Sequence, residues 1–104
     1  MAIFLVILRD VPDNAGIRSS LLAEHMAHVG RHLGAIRLAG PWLRDADGKP
    51  GGGLLLVEAT DAATVRHMVE EDPYFRAGLW EDVQVHAFRD LVNAWRDAPA
   101  GAPG

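Results

Sequence analysis

The chain opens on residues 2–8, AIFLVIL, an unbroken apolar run of large and β-branched side chains. Arg9-Asp10 ends it. A short run of this kind predicts a central strand buried on both faces. DVPDNAG then breaks the chain, and Asp13 or Asn14 is placed to cap a helix. Residues 16–33 have helical spacing: at about 100° per residue, Leu22, Met26, Val29 and Leu33 share one stripe, which the pattern assigns to the core. Gly34 is the expected stop. Residues 36–39 predict a short second strand, closed by Gly40-Pro41. The polar, glycine-rich RDADGKPGGG follows, with Asp47-Gly48 as a hairpin signal. Residues 54–59 form a third apolar strand, and Thr60 or Asp61 caps a second helix over 62–71, with Val65 and Val69 inward. Asp72-Pro73 ends that helix, because a residue before proline avoids the helical region. Residues 83–88 alternate as Val, Gln, Val, His, Ala, Phe, a strand with two unlike faces. RDLVNAW suggests a short terminal helix.

The order β-α-β-β-α-β is the ferredoxin-like pattern, an α+β fold: a four-stranded antiparallel sheet with two helices on one face. The other face then needs a cover, and for a chain of this size a second copy supplies one, so a homodimer is expected. One domain is expected over 1–96. The small, proline-rich end, 97–104, buries too little to offset its ordering entropy and reads as a flexible tail.

Composition narrows the function classes. The 104 residues are 49% hydrophobic and 23% charged, an ordinary globular balance. Net charge is −4 with no basic cluster, which gives a nucleic-acid backbone nothing to hold. There is no cysteine, so disulfides, thiolate nucleophiles and cysteine-ligated zinc are excluded, and a reducing cytoplasmic setting fits. The N-terminal run lacks a basic flank and is too short to span a membrane.

The polar chemistry concentrates on histidines. His25, His28 and His32 share the first helix on a stripe with Leu21, beside the apolar one. His25 and His32 lie nearest the core boundary and His28 further toward solvent. Histidines at this spacing can share a metal ion, but no carboxylate joins the stripe, and a half-exposed polar flank is the plainer reading. His67 reads as solvated. His86 shares a sheet face with Gln84 and Phe88, facing either a pocket or water. Asp72, before a proline, is good turn chemistry on its own. Ser19 and Ser20 lack nucleophile-elbow glycines, and GKPGGG lacks phosphate-loop spacing.

Taken in order, HMAHV on the first helix, LAGPW closing the second strand, and EEDPYFRAGLWEDVQVHAF across the second helix end and last strand carry a resemblance. The chain resembles the YciI-like (YCII-related) family of the dimeric α+β barrel superfamily over residues 3–88. The resemblance implies a site made of a first-helix histidine and the aspartate of Asp-Pro-Tyr, here His25 and Asp72. Relatives often carry an arginine near the start of the histidine turn. Leu22 stands there in this chain, and Arg18 is the nearest upstream arginine. That implies a less acidic ligand, or the use of Arg18.

A His–Asp pair makes chemical sense. A carboxylate on one imidazole nitrogen fixes the tautomer and leaves the other nitrogen as a base. The resemblance therefore implies a small enzyme without cofactor, in which His25 and Asp72 transfer protons on a small, aromatic-derived or enolisable molecule, with elimination or isomerisation as the outcome. Its pocket is expected between sheet and helices, lined by Arg18, Gly40, Pro41, Trp42, Tyr74 and Phe75. The competing expectation is a non-catalytic ligand carrier or accessory subunit. An oxygen-using relative of the same superfamily fold is a third, from which the Asp-Pro-Tyr stretch points away.

Overall fold

A computed structural model describes residues 1–97, with the backbone alone at 96 and 97. Apart from residue 97, the expected tail lies outside the described residues. The elements are β1 (Ala2–Asp10), α1 (Ala15–Arg31), β2 (Ile36–Gly40), β3 (Gly52–Ala59), α2 (Ala62–Glu70), α3 (Pro73–Arg76), β4 (Trp80–Phe88) and α4 (Ala94–Asp97). All strand pairs are antiparallel, in the order β2-β3-β1-β4. This is the βαββαβ ferredoxin-like fold, with a single-turn helix, α3, inserted after Asp72. The terminal helix is one turn, shorter than RDLVNAW suggests.

Pairing explains the core. Phe4, Val6 and Leu8 sit opposite Val57, Leu55 and Gly53 on one side and Ala87, Val85 and Val83 on the other. Side chains alternate along a strand, so these residues share the helix-covered face. Val65, Met68 and Val69 of α2 complete the cluster with Phe4, Val6, Leu8, Val57 and Ala59. Fully burying a Val, Leu, Phe or Met side chain of this cluster contributes about 1.5–3 kcal/mol. Within the single chain β1 is buried on one face; burial of the other, which its composition predicts, depends on the expected second copy. Ile3, Leu5 and Ile7 point the other way and are only half-buried, because no described element packs over that side.

α1 is rolled relative to its expected orientation. Its apolar stripe faces away from the close-packed interior: Leu22, Met26 and Leu33 are 53%, 55% and 63% exposed. His28, expected toward solvent, is buried. The polar stripe goes inward because it is satisfied there: His28 Nε2–H donates to the Met68 carbonyl at 2.9 Å. α1 packs chiefly on α3 and stands off the strands, leaving a cavity beneath it.

Caps also redistribute. Of the two candidate caps, Thr60 and Asp61, Asp61 is the one that caps α2, accepting from Thr64 N at 2.8 Å. Asn14 precedes α1 but makes no capping bond; its amide is spent on Asp10 and the Pro50 carbonyl, at 2.8 and 2.9 Å. The β2–β3 connection turns at Gly48, whose φ of +70° is a glycine conformation. At its base, Trp42 lies across Gly51 and Gly52 and donates Nε1–H to the Leu8 carbonyl at 2.8 Å. A methyl carbon at Gly52 would run into that same carbonyl and the indole.

Gly52→Ala is therefore expected to displace Trp42 and cost about 1–3 kcal/mol. Chemical denaturation followed by tryptophan fluorescence measures it. An unchanged midpoint would mean that the Trp42 contact is unimportant.

Candidate functional site

Asp72 does two jobs with one carboxylate. Its φ of −66° and ψ of 133° are the extended values a residue before proline adopts. Pro73 then opens α3, and Asp72 caps it, Oδ1 accepting from Tyr74 N at 2.9 Å. The same carboxylate meets His25 Nδ1, at 3.0 Å from Oδ1 and 2.8 Å from Oδ2. Asp72 is 7% exposed at its side chain and His25 22%, so the pair is sheltered from water with His25 on the open side. An ionised carboxylate only accepts, so Nδ1 is assigned the proton. Nε2 is then the lone-pair nitrogen, and it makes no hydrogen bond among the described residues.

The imidazole is held flat against Tyr74, ring centroids 4.1 Å apart and 16° from parallel. Trp80 stands nearly perpendicular to both rings, 6.5 Å from His25 and 6.0 Å from Tyr74. Tyr74 is itself pinned: its hydroxyl donates to the Arg18 carbonyl at 2.9 Å, and burial raises the phenol's pKa, keeping it a donor. Trp80 Nε1 is buried and has no hydrogen-bond partner among the described residues.

Beside this lies a second polar cluster. Asp10, at the end of β1, accepts from Arg18 Nε at 2.6 Å, Arg18 Nη2 at 3.1 Å and Asn14 Nδ2 at 2.8 Å. Arg18 Nη2 also reaches the Gly52 carbonyl at 3.1 Å. Arg18 is thus largely engaged in tying α1 to the sheet, and its charge is balanced by Asp10.

The cavity between α1 and the sheet measures about 690 Å³. His25, Asp72, Tyr74, Arg18, Gly40 and Pro41 border it, as do Asn14 and Trp80. Trp42 and Phe75, expected in the lining, are not part of it. Trp42 covers the Gly51-Gly52 backbone, and Phe75 packs against the hydrophobic core. The remaining histidines are apart from the pair. His32 is tilted against His28 at 4.7 Å, and burial, then the neighbouring His28, lowers its pKa. His67 lies 3.3 Å from Glu71, and His86 donates to Gln84 at 3.0 Å on the open sheet face. Among the described residues no group of three or more His, Asp or Glu side chains could hold a metal ion.

Sequence reasoning missed Trp80, Asp10 and Asn14. Trp80 lies two residues before Asp82, which would place both on one face of a regular strand. A bulge intervenes: Arg9 pairs with Asp82, but Asp10 pairs with Trp80. The extra residue turns Trp80 toward the helices. The polar Asp10 at the end of an apolar strand, eight residues before Arg18, was a usable signal.

Comparison with known proteins adds three findings. A family model described as the YCII-related domain matches residues 2–89. Among solved structures, the chain is similar to 5-chloro-2-hydroxyhydroquinone dehydrochlorinase (TftG) from Burkholderia phenoliruptrix AC1100, in complex with 2,5-dihydroxybenzoquinone. The identity is 28%, the TM-score 0.78, and the match covers 84% of this chain and 93% of the other. A NIPSNAP domain protein from Burkholderia xenovorans matches at 15% identity and TM-score 0.48, over 91% and 97% of the two chains. No curated protein matches. With residues 2–89 accounted for by one domain, the chain belongs to the YCII-related family.

Proposed function

We propose that the chain is an enzyme that moves protons on a hydroxylated ring through His25, oriented by Asp72, and eliminates hydrogen halide from a halogenated hydroquinone without a cofactor. The observation that carries this reading is the unengaged His25 Nε2 at an apolar cavity, with Nδ1 held by Asp72. The similarity to a dehydrochlorinase with a quinone ligand supplies the substrate class.

The step balances without an external oxidant. Nε2 takes the proton of the ring hydroxyl beside the carbon–halogen bond, a C=O forms, and the imidazolium returns that proton to the halogen-bearing carbon. The hydroxyl across the ring then loses its proton to Nε2. Its electrons form the second C=O, a ring double bond shifts, and halide leaves. The product is a quinone, and the net loss is one hydrogen halide. Asp72 stabilises the imidazolium that forms on each transfer, and Tyr74 and Trp80 keep the ring in place. The apolar part of the wall, once covered by substrate, strengthens these charge interactions and limits side reactions of the quinone.

The same reading includes a second copy over the open face of the sheet. Leu5, Ile7, Leu54 and Leu56 share that face, and Leu38 and Phe88 on its outer strands are 41% and 40% exposed. A contiguous apolar face of this kind is the mark of an interaction surface.

With a chlorinated trihydroxybenzene as substrate, His25→Ala is expected to lower kcat/KM for chloride release by about 10²–10⁴-fold. Asp72→Asn, which keeps a capping oxygen, is expected to lower kcat with little change in KM. A chloride electrode and quinone absorbance give both rates; turnover at the wild-type level in His25→Ala would end the proposal. Sedimentation is expected to report twice the 11.3 kDa chain mass, and Leu56→Glu to shift the protein to the single-chain mass. A wild-type monomer at micromolar concentration would refute the second copy.

A further inference from the structure

We infer that the substrate carries a hydrocarbon substituent, and that the end of the cavity beyond His25 is the subsite that holds it. The inference rests on the proposed ring chemistry and adds a specificity determinant to it.

Residues of α1 from Ala15 to Val29 border the cavity, fourteen steps of helix or about 21 Å. A volume of about 690 Å³ lies in the range that holds a ligand of several rings or a ring with a long substituent. One hydroxylated ring at His25 leaves most of it empty.

The two ends differ in chemistry. Toward the start of α1 the border is Asn14, Arg18, Ser19 and Lys49, and this end is fixed by the bonds from Asn14 and Arg18 to the backbone of Pro50 and Gly52. Past His25 the border is Met26, Val29, Ile36, Leu55, Met68 and Val69. The polar side chain there, His28, has its Nε2–H on the Met68 carbonyl. This end has no formal charge to meet a second polar group, whereas the other end carries the Arg18 and Lys49 cations and the Ser19 hydroxyl.

The rolled helix points to the same occupant. Leu22, Met26 and Val29 form the stripe that helical spacing assigns to a core, yet here they overlook the cavity, Met26 at 55% exposure. Hydrocarbon seated between them and Ile36 and Leu55 would remove that apolar surface from water, and the gain scales with chain length.

The test is a binding titration with two probe series: 2,5-dihydroxybenzoquinone with its 3-alkyl homologues, and n-alkanols below their aggregation limit. Affinity is expected to rise about three- to fourfold per methylene in both series until the chain outgrows the cavity. Met26→Glu, at an exposed helix position, is expected to abolish that rise. The wild-type series needs no variant to be decisive. Quinone binding that ignores chain length overturns the inference and leaves the proposed function standing. Alkanol binding that climbs with length, with no quinone bound, keeps the apolar subsite and refutes the ring chemistry. If neither series binds, both fail. If alkanols bind only by displacing a second copy, the groove is an interface and the inference is wrong.

Discussion

Everything at the site depends on one carboxylate being held where a helix ends. Asp72 must be extended because a proline follows, and it caps α3 with the same group that grips His25. The charge is buried but has backbone and imidazole donors, which is the condition under which a buried carboxylate is tolerated. Capping and orientation cannot be separated: moving Asp72 for one purpose moves it for the other. Tyr74, two residues on, is carried with it, and its ring supports the imidazole it helps to orient. The site is therefore mounted on a rigid corner rather than on a mobile loop.

That grip also explains the roll of α1. Polar contacts hold the helix, among them Arg18 to Asp10, His25 to Asp72 and His28 to the Met68 carbonyl. Once these face inward, the apolar stripe beside them cannot pack on the sheet. A cavity opens between helix and strands, walled by residues that in another fold would close it. Part of the helix's packing is given up for an apolar space beside an imidazole nitrogen that makes no hydrogen bond among the described residues.

The fold was legible because its signals are local and periodic. Strand and helix patterns, Gly48 in the turn, and Asp61 as a cap follow from neighbours a few residues away. The Asp72–His25 pair was reachable through family resemblance, since the two residues stand 47 positions apart and no local rule joins them. Trp42 and Phe75 were misplaced for a related reason. An aromatic near a pocket can line it or pack behind it, and a hydrogen bond to Leu8 and contact with the core decided these two.

What the sequence by itself determined is the order of elements and the punctuation at Asp72-Pro73, because each is a property of a short window's backbone preferences; the antiparallel sheet was inferred from that order. What only the tertiary structure decided is which way α1 faces, the bulge that turns Trp80 inward, and the joint burial of Asp10, Asn14 and Arg18. Those outcomes depend on where distant donors and acceptors find one another. A buried polar group must be satisfied by whatever the fold brings within reach, and helical periodicity carries no information about that.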